Sequence, residues 1–428
     1  MGILVEKAKK YISPVLGRYF PDLEIIKGQG VYVFDPEGRR YLDFASGIGV
    51  VSTGHCHPKV VEAITRQANE LIHIMGGIAY CPSYVNLAEM LVGISPFHEA
   101  SVVFSQSGSE AIEGCLKLAR YITRKKKVLA FTQAFHGRTL AATSVTYKEK
   151  YKHGYEDWLI DVVRVPYPYY FHHKQEGSFE TYEENTIQEL RKTIEGDSEI
   201  GAVIIEPVLG EGGYVPAPLR FLQELRKITE ERGIMLIFDE VQSGMGRTGK
   251  WFASEHYGVV PDIMAVAKGI ASGMPLGACV AKKSIMDQWT VSAHGGTYIG
   301  NPVTCAAALA TIDVIRKEKL LDNAARVGAY LKERLQSAFE NVPEVADIRG
   351  LGLMVGVEFI DPKTGRGFSS LVKKVREIAL EQGLILISCG DEDQCLRLAP
   401  PLIINETQID EGVGIIAESV KEALSQVE

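Results

Sequence analysis

The chain has 428 residues, which is enough for two or three domains with a large core. Its apolar content of 46% and charged content of 23% are typical of a soluble globular protein, and its net charge of −8 gives no reason to expect nucleic acid or an anionic membrane as a partner. No apolar run reaches the roughly 18 residues that a bilayer span requires, and the first residues lack the apolar core of a signal peptide.

The 7 cysteines are scattered along the chain without a C-x-x-C pair. An odd number without pairing pattern favours free buried thiols in a reducing cytoplasm, so we expect a cytoplasmic protein. His55 and His57 flank Cys56, but no other cluster of ligand residues accompanies them. We therefore expect no metal site.

The chain begins with an amphipathic helical pattern, which two short strand-like runs follow. Residues 31–34 and 40–44 are separated by Asp-Pro-Glu-Gly, a strong turn signal, and so predict a β-hairpin. Gly47-Ile48-Gly49 is then typical of a flexible turn. From His57 onward, helical and strand-like patterns alternate, which favours an α/β fold.

Small residues precede the second helix of this alternating part. After a predicted strand at residues 102–105 come Ser107, Gly108 and Ser109, and apolar residues then recur at helical spacing. Such a loop presents unpaired backbone N–H groups and the positive end of the helix dipole to a phosphate. An ordinary helix cap would have the same composition, so both interpretations remain open at this point.

The next segments contain further candidate residues, each with an ordinary structural explanation as well. A predicted strand at 127–132 leads to Phe135-His136-Gly137-Arg138, where Phe135 could be a core residue and Arg138 a surface charge. Residues 151–200 are rich in aromatic and then in charged residues, and we interpret them as a surface insertion that ends in a helix.

Residues 201–268 contain three predicted strands whose ends carry ionisable side chains. Glu206 closes the first, and a glycine-rich loop with Glu211 follows it; Asp239 and Lys268 follow the apolar runs 234–238 and 263–267. Parallel sheets bind their ligands beyond the carboxyl ends of the strands, so we expect Asp239 and Lys268 to face one crevice. This pairing suits pyridoxal phosphate, since a lysine can bond the aldehyde and a carboxylate can keep the pyridine nitrogen protonated.

Two other interpretations compete for this stretch. Asp239 and Lys268 could be solvent-exposed charges at strand ends. Residues 244–250 also fit G-x-G-x-x-G and G-x-x-x-x-G-K, but a P-loop needs Ser or Thr where Trp251 stands, and a dinucleotide fingerprint should open a helix directly after its strand. A nucleotide site is therefore disfavoured.

Together these motifs resemble the class III pyridoxal-phosphate aminotransferases, the family of the ornithine, acetylornithine and 4-aminobutyrate enzymes. The resemblance covers nearly the whole chain. It is carried by the following segments: S-x-S-G-S-E-A at 105–111, F-H-G-R at 135–138, D-E-V-Q-S-G-x-G-R-T-G-K at 239–250, A-K-G at 267–269, G-G-T-Y at 295–298 and L-R-x-x-P-P-L at 396–402.

The resemblance implies a fold-type I α/β transferase. We expect a large cofactor domain at residues 56–315, with a mostly parallel central sheet between helices. A smaller α+β domain would combine residues 1–55 and 316–428. Relatives of this type also share sites between subunits, which implies a homodimer or a dimer of dimers in which Thr297 binds the cofactor phosphate of the neighbouring subunit.

The resemblance also assigns roles to the candidate residues. Lys268 and Asp239 would be catalytic. The residues that would hold pyridoxal 5′-phosphate are Ser107, Gly108, Ser109, Phe135, His136, Glu206, Asp239, Val241, Gln242, Lys268 and Thr297. Ile48, Arg138, Glu211 and Arg397 would contact substrate. The planar fork of Arg397 suits a carboxylate, which it can bind through two parallel hydrogen bonds.

The pair Glu211 and Arg397 favours one activity. In relatives, the acid neutralises the arginine when an ω-amine binds and moves away when glutamate or 2-oxoglutarate binds. We therefore predict an ω-aminotransferase that moves an amino group from 4-aminobutyrate or a similar ω-amino acid to 2-oxoglutarate by a ping-pong mechanism. Ornithine or acetylornithine transamination and amino-acid racemisation or epimerisation are the alternatives within the fold, and a non-enzymatic module is the alternative outside it.

Overall fold

The computed structural model describes residues 2–426, which form a three-layer α/β body with two four-stranded sheets and one two-stranded sheet in addition to the central sheet. The helices in chain order are α1 Ile3–Tyr11, α2 Ser46–Gly49, α3 Pro58–Glu70, α4 Pro82–Ile94, α5 Gly108–Thr123, α6 Leu140–Val145, α7 Phe179–Gly196, α8 Leu219–Glu231, α9 Ser254–Tyr257, α10 Lys283–Met286, α11 Pro302–Lys317, α12 Leu320–Ala338, α13 Ser369–Glu381 and α14 Glu406–Leu424. The strands are β1 Lys27–Gln29, β2 Tyr32–Phe34, β3 Arg40–Asp43, β4 Ala100–Ser105, β5 Lys127–Phe131, β6 Val162–Val165, β7 Ile200–Ile205, β8 Val208–Leu209, β9 Val215–Pro216, β10 Met235–Asp239, β11 Ile263–Val266, β12 Gly277–Lys282, β13 Val345–Leu351, β14 Met354–Phe359, β15 Leu384–Ile385, β16 Ile387–Cys389 and β17 Cys395–Leu398.

The central sheet has seven strands in the order β4-β12-β11-β10-β7-β5-β6. Within it, β12 runs antiparallel to both of its neighbours, and the pairs from β11 through β6 are parallel. This mixed but mostly parallel sheet confirms the predicted fold class. The carboxyl ends of β5, β7, β10 and β11 therefore meet at one edge, where a ligand site is expected.

Helices cover both faces of this sheet, because successive side chains of each strand point to opposite faces and are apolar on both. On β10, Leu236 and Phe238 pack with α7 and α8, while Ile237 points to the opposite face and packs with α5. All three are fully buried. Strands buried on both faces lack the apolar–polar alternation of a half-exposed strand, which is why residues 234–238 form a continuous apolar run.

The two ends of the chain come together beside this body. In one small sheet the hairpin β2–β3 pairs in parallel with β15, and the other small sheet has the order β13-β14-β17-β16. Phe44 packs in one core with helices α12, α13 and α14. This arrangement agrees with a small domain drawn from both termini, but the division at residues 56 and 315 stays a prediction.

One sequence-based interpretation of an element is wrong. Residues 151–200 are not a surface insertion, because β6 is an edge strand of the central sheet and Tyr167 and Tyr169 are buried behind it. The aromatic residues that follow β6 concealed this strand, whose partner β5 lies in an earlier segment of the chain.

The cysteines are free, and Cys56 departs from the expectation of buried thiols because it is exposed. Its neighbours face different carboxylates: His55 lies 2.8 Å from Asp43 and His57 lies 3.5 Å from Glu318. Within residues 2–426, no group of three or more His, Cys, Asp or Glu side chains is placed to hold a metal ion. None of the helices in this part of the chain combines the length and apolar character of a membrane span.

Candidate active site

A cavity of about 170 Å³ lies at the carboxyl edge of the central sheet. Asp239 ends β10 and Lys268 follows β11, and these two strands are parallel neighbours. Both side chains line this one cavity, together with eight of the other predicted cofactor residues and Gly137. Those eight are Ser107, Gly108, Ser109, Phe135, His136, Glu206, Val241 and Gln242.

The amine of Lys268 is held in an environment that favours its neutral form. Its backbone has a left-handed φ of 47° at the start of a short 3₁₀ turn. For a non-glycine residue this conformation costs free energy. Burial, followed by the positive charge of Arg397, lowers the pKa of Lys268, while Asp239 opposes the shift. A neutral amine can act as a nucleophile and as a proton acceptor.

Asp239 is buried and fully engaged by hydrogen bonds from the protein. Its Oδ2 atom lies 2.7 Å from Nδ1 of His136, and its Oδ1 atom accepts a hydrogen bond of 3.0 Å from the backbone N–H of Val241. The other ring nitrogen of His136, Nε2, is buried without a hydrogen-bond partner among the described residues. The carboxylate is thus fixed in place at the cavity wall.

A second acid, Glu206, is buried behind the loop that carries Phe135. Its two oxygens accept hydrogen bonds from the backbone N–H groups of Phe135 at 2.9 Å and Gly210 at 2.7 Å. Burial and the neighbouring charge of Asp239 raise the pKa of Glu206 to about 8. At neutral pH, Glu206 is therefore largely protonated, and Asp239 is the carboxylate of the cavity.

The N-terminus of α5 forms the opposite wall. The hydroxyl of Ser107 caps the helix by accepting a hydrogen bond of 3.2 Å from the N–H of Glu110, so the interpretation as a helix cap is correct. The backbone N–H groups of Gly108 and Ser109 precede the first helical hydrogen bond and lack intrahelical partners. A Cβ atom at Gly108 would lie 2.8 Å from a methyl carbon of Val241, so only glycine fits between helix and loop.

Glu211 and Arg397 form an ion pair beside this cavity. The Nη1 atom of Arg397 donates to a carboxylate oxygen of Glu211 at 2.5 Å, and the arginine side chain is 1% exposed. Burial raises the pKa of Glu211, but the adjacent Arg397 outweighs it and the net shift is downward. Glu211 is therefore charged at neutral pH and neutralises the guanidinium of Arg397.

Three predicted contacts lie outside the cavity wall. Arg138 is exposed and stacks on Tyr151 at 4.5 Å, and only its backbone N–H reaches Ser109. Ile48 is 39% exposed and has a left-handed φ of 69°. Thr297 is exposed and does not line the cavity of its own chain.

Several contacts of this region were not foreseen from the sequence. Tyr19 accepts a hydrogen bond of 3.1 Å from the second terminal nitrogen of Arg397, although 378 residues separate them. The hydroxyl of Tyr214 donates to Gln242 at 2.9 Å. Arg349 donates twice to the carbonyl of Gly213, at 3.0 and 2.7 Å, in the loop that carries Glu211. No local pattern indicates any of these contacts, and only Gly137 could have been found, since it belongs to the F-H-G-R motif.

The cavity fits pyridoxal phosphate on its own features. An open helix N-terminus beside a required glycine suits a phosphate, a fixed carboxylate suits a protonated ring nitrogen, and a half-buried lysine suits an aldehyde. Together with the mostly parallel sheet, these features define a pyridoxal-phosphate-dependent transferase of fold type I.

Comparisons with known proteins identify the family. The model of the class-III aminotransferases matches residues 16–420. The chain is 37% identical to a probable 4-aminobutyrate aminotransferase of Bacillus subtilis over 92% of each chain. It is 40% identical to an acetylornithine aminotransferase of Archaeoglobus fulgidus over 96% of this chain and 99% of the relative. It is also 38% identical to an alanine/serine racemase of Pyrococcus horikoshii over 99% and 90% of the two chains.

A solved structure agrees with this result. The ω-transaminase of Pseudomonas jessenii in complex with PMP superposes with a TM-score of 0.92, at 29% identity, over 100% of this chain and 99% of that chain. The chain belongs to the class III aminotransferase family, and its cofactor is pyridoxal phosphate.

Proposed function

We propose that the enzyme transfers the amino group of an ω-amino acid, 4-aminobutyrate or a close homologue, to 2-oxoglutarate, with a semialdehyde and glutamate as products. The observation that carries this proposal is the buried ion pair of Arg397 with Glu211. An ω-amino acid presents its amine without an adjacent carboxylate, so Arg397 needs another counter-ion while such a donor is bound. Glutamate and 2-oxoglutarate bring their own α-carboxylate, and Glu211 must then release Arg397.

We infer that Lys268 and Asp239 are the catalytic residues. When bound, pyridoxal phosphate supplies an aldehyde that takes up the amino group and a ring that accepts electrons. The Lys268 amine, with its lowered pKa, accepts and returns a proton at its Nζ atom. Asp239 would keep a positive charge on the ring nitrogen of the bound cofactor, and His136 and the Val241 N–H keep that carboxylate in position.

The remaining residues of the cavity serve binding in this proposal. Ser107, Gly108 and Ser109 hold the phosphate, Phe135 and Val241 enclose the ring, and Gln242 contacts the ring oxygen. Their placement around one cavity supports these roles. Glu206, protonated at neutral pH, stabilises the loop behind Phe135 rather than adding charge. At the substrate side, Arg138 and Ile48 line the approach.

We further propose that the enzyme is a cytoplasmic homodimer in which Thr297 completes the neighbouring site. Thr297 is exposed in the single chain, and large exposed apolar side chains surround its segment. Tyr298 is 61% exposed and its ring contacts His73, next to the exposed Ile72. An apolar patch of this kind is costly in water and is stabilised by a second copy.

A panel of amino donors tests the proposed substrate. The holoenzyme is incubated with 2-oxoglutarate and, in separate reactions, with 4-aminobutyrate, 5-aminovalerate, ornithine and N-acetylornithine, and glutamate formation is measured. The proposal expects 4-aminobutyrate or 5-aminovalerate, which carry no substituent beside the carboxylate, to give the highest kcat/KM, and it expects parallel lines in double-reciprocal plots. A clear preference for N-acetylornithine, an ω-amine that carries an acetylated amino group beside its carboxylate, would reject 4-aminobutyrate or a close homologue as the donor.

A racemase is the second candidate, because the Pyrococcus horikoshii relative carries that name at 38% identity. An L-amino acid such as alanine or serine is incubated with the holoenzyme without any 2-oxo acid, and chiral chromatography measures the D-isomer. Accumulation of the D-isomer at a rate above transamination would favour this second function over the first.

A further inference from the structure

A second cavity, of about 500 Å³, lies between the N-terminal segment and helix α13. Arg18 and Tyr19 form one side of it, and Lys373 and Arg376 form the other. None of its lining residues lines the cofactor cavity, so the two spaces are separate.

The three cations of this second cavity lack carboxylate partners. Within residues 2–426, no acidic side chain forms an ion pair with Arg18, Lys373 or Arg376. By contrast, two of the acids on the wall are neutralised from outside the cavity, where Arg366 lies 3.3 Å from Glu392 and Lys148 lies 3.8 Å from Asp393. The exposed Glu377 is the remaining wall acid, so among the described residues the wall has three cations without an ion pair and one acid without an ion pair.

Arg376 shows the strongest need for an anion. Its guanidinium is half-buried and donates only to neutral oxygens, namely the Leu386 carbonyl at 3.4 Å, the Ser388 hydroxyl at 3.4 Å and the Tyr19 carbonyl at 3.3 Å. Burial lowers the pKa of Arg376, and the nearby charges of Asp393 and Glu377 oppose this shift without reversing it. A bound carboxylate would offset the cost of burying this charge through charge-assisted hydrogen bonds.

Tyr19 connects this second cavity to the catalytic site. On one side the guanidinium of Arg376 lies 4.8 Å from the centre of its ring, and on the other its hydroxyl accepts the hydrogen bond from Arg397. Tyr19 is therefore in contact with a cation of each site, Arg376 in the second cavity and Arg397 beside the cofactor cavity.

We propose that the second cavity binds a small dicarboxylate, and that its occupancy alters the affinity of Arg397 for the carboxylate of a substrate. Three cations on the wall of one cavity suit a ligand with two separated negative charges, and the volume of about 500 Å³ exceeds that needed by a monatomic or tetrahedral anion. The coupling to Arg397 rests on the proposed function, in which that arginine receives a substrate carboxylate. The binding itself does not depend on it.

Calorimetric titration of the holoenzyme with succinate tests the proposal, because succinate has two carboxylates but no group that can take part in amino transfer. The wild type is expected to show two classes of site, one at Arg397 and one in the second cavity. In the double variant Arg18→Met/Lys373→Met, both exposed positions, the second class should weaken by at least about tenfold. The matched control Lys227→Met/Lys317→Met, which removes exposed lysines from other helices, should keep both classes.

The variant Arg397→Met isolates the second cavity, since it should keep that class of site alone. Identical succinate binding by the wild type and by Arg18→Met/Lys373→Met would overturn the proposal. So would inorganic phosphate that binds the second cavity as tightly as succinate, because the site would then not select a dicarboxylate. If the donor panel showed no ω-amino transfer, these titrations would still show whether the second cavity binds a dicarboxylate. Failure of the proposed activity and failure of the proposed binding site are therefore distinguishable.

Discussion

Lys268 shows at the scale of one residue how burial and charge prepare a side chain for chemistry. The same amine in water would be protonated at neutral pH. Here burial and the charge of Arg397 lower its pKa, whereas Asp239 limits the shift. Arg397 therefore acts on the reacting amine as well as on the substrate. Because Glu211 neutralises Arg397, the state of that ion pair also affects the amine.

The ion pair gives a prediction for Glu211→Gln. The variant removes the negative charge but keeps the size of the side chain, so Arg397 is left without its counter-ion in a buried position. We expect kcat/KM for 4-aminobutyrate to fall by about tenfold or more, while the KM for 2-oxoglutarate stays equal or decreases. Steady-state kinetics with each substrate varied in turn measure both values.

A matched control is Glu184→Gln, which alters an exposed acid on α7 that pairs with Arg220. It should leave both kinetic constants unchanged. Equal losses for both substrates in Glu211→Gln would contradict the role of Glu211 as a switch between them.

At the scale of elements, the site depends on how strand ends and helix starts are brought together. Asp239 and Lys268 could be predicted from the sequence because each directly follows a continuous apolar run, and two such runs in an α/β protein end at the same edge. Ser107 could be predicted as a helix cap, because a capping side chain bonds to backbone groups only two or three residues away in the sequence. The contacts of Tyr19 with Arg397 and of Arg349 with Gly213 join segments 378 and 136 residues apart, and no periodicity encodes such pairings. The strand β6 was missed because its four residues precede an aromatic segment that resembled a loop.

Helix α5 gives a prediction for Gly108→Ala. The added methyl group would lie 2.8 Å from a methyl carbon of Val241, so the helix N-terminus and the loop must move apart. We expect the affinity for pyridoxal phosphate to fall by about tenfold, as measured by fluorescence titration of the apoenzyme. The double variant Gly108→Ala/Val241→Ala removes the clash and should recover most of the affinity.

Gly93→Ala is the control for this series, since an added Cβ at this helical position meets nothing within 4 Å. It should leave cofactor affinity unchanged. Unchanged affinity in Gly108→Ala itself would show that this close contact does not shape the phosphate site.

The junction of β13, β14 and the Glu211 loop gives a prediction about pH. Glu358 is fully buried between Arg349 at 2.6 Å and His172 at 2.7 Å. Burial alone would raise the pKa of Glu358. The hydrogen bond from His172 and the charge of Arg349 outweigh burial and lower this pKa to about 2 from an ordinary 4.5. The charged network therefore stabilises the fold by about 3 kcal/mol above pH 4.5, and this stabilisation is lost as the pH falls from about 4.5 towards 2.

Arg349→Met tests this network. At pH 7 the free energy of unfolding should fall by about 3 kcal/mol, because the variant leaves a buried carboxylate without its cation. The difference from wild type should shrink as the pH falls towards 2, because Glu358 is then protonated in both proteins and no longer needs the cation. Urea titrations at several pH values measure this, with Arg366→Met, at an exposed ion pair, as a control that should change little. A constant difference at every pH would exclude Glu358 as its source.

At the scale of the whole molecule, the single chain leaves one predicted cofactor residue outside its own cavity. Thr297 is exposed, and its segment carries exposed apolar side chains. If two copies associate there, each site draws Thr297 from the other chain. The particle in solution should then have at least twice the chain mass of 47.0 kDa, as light scattering measures it.

Hybrid particles test the shared site directly. Lys268→Ala and Thr297→Asp each inactivate a homodimer in the proposed arrangement. In a co-expressed hybrid of the two, one site combines both defects and the other has neither, so about half of the wild-type activity should return. If Thr297 instead serves its own chain, each site of the hybrid carries one defect and no activity returns.

The central claim is that Lys268, facing Asp239 across one cavity, is the amine that carries pyridoxal phosphate. Borohydride reduction of the holoenzyme fixes the cofactor to the amine that holds it, and mass spectrometry of the digested protein locates the modified lysine. The account predicts a pyridoxyl group on Lys268 and on no other lysine. A pyridoxyl group on a different lysine, with Lys268 unmodified, would contradict it.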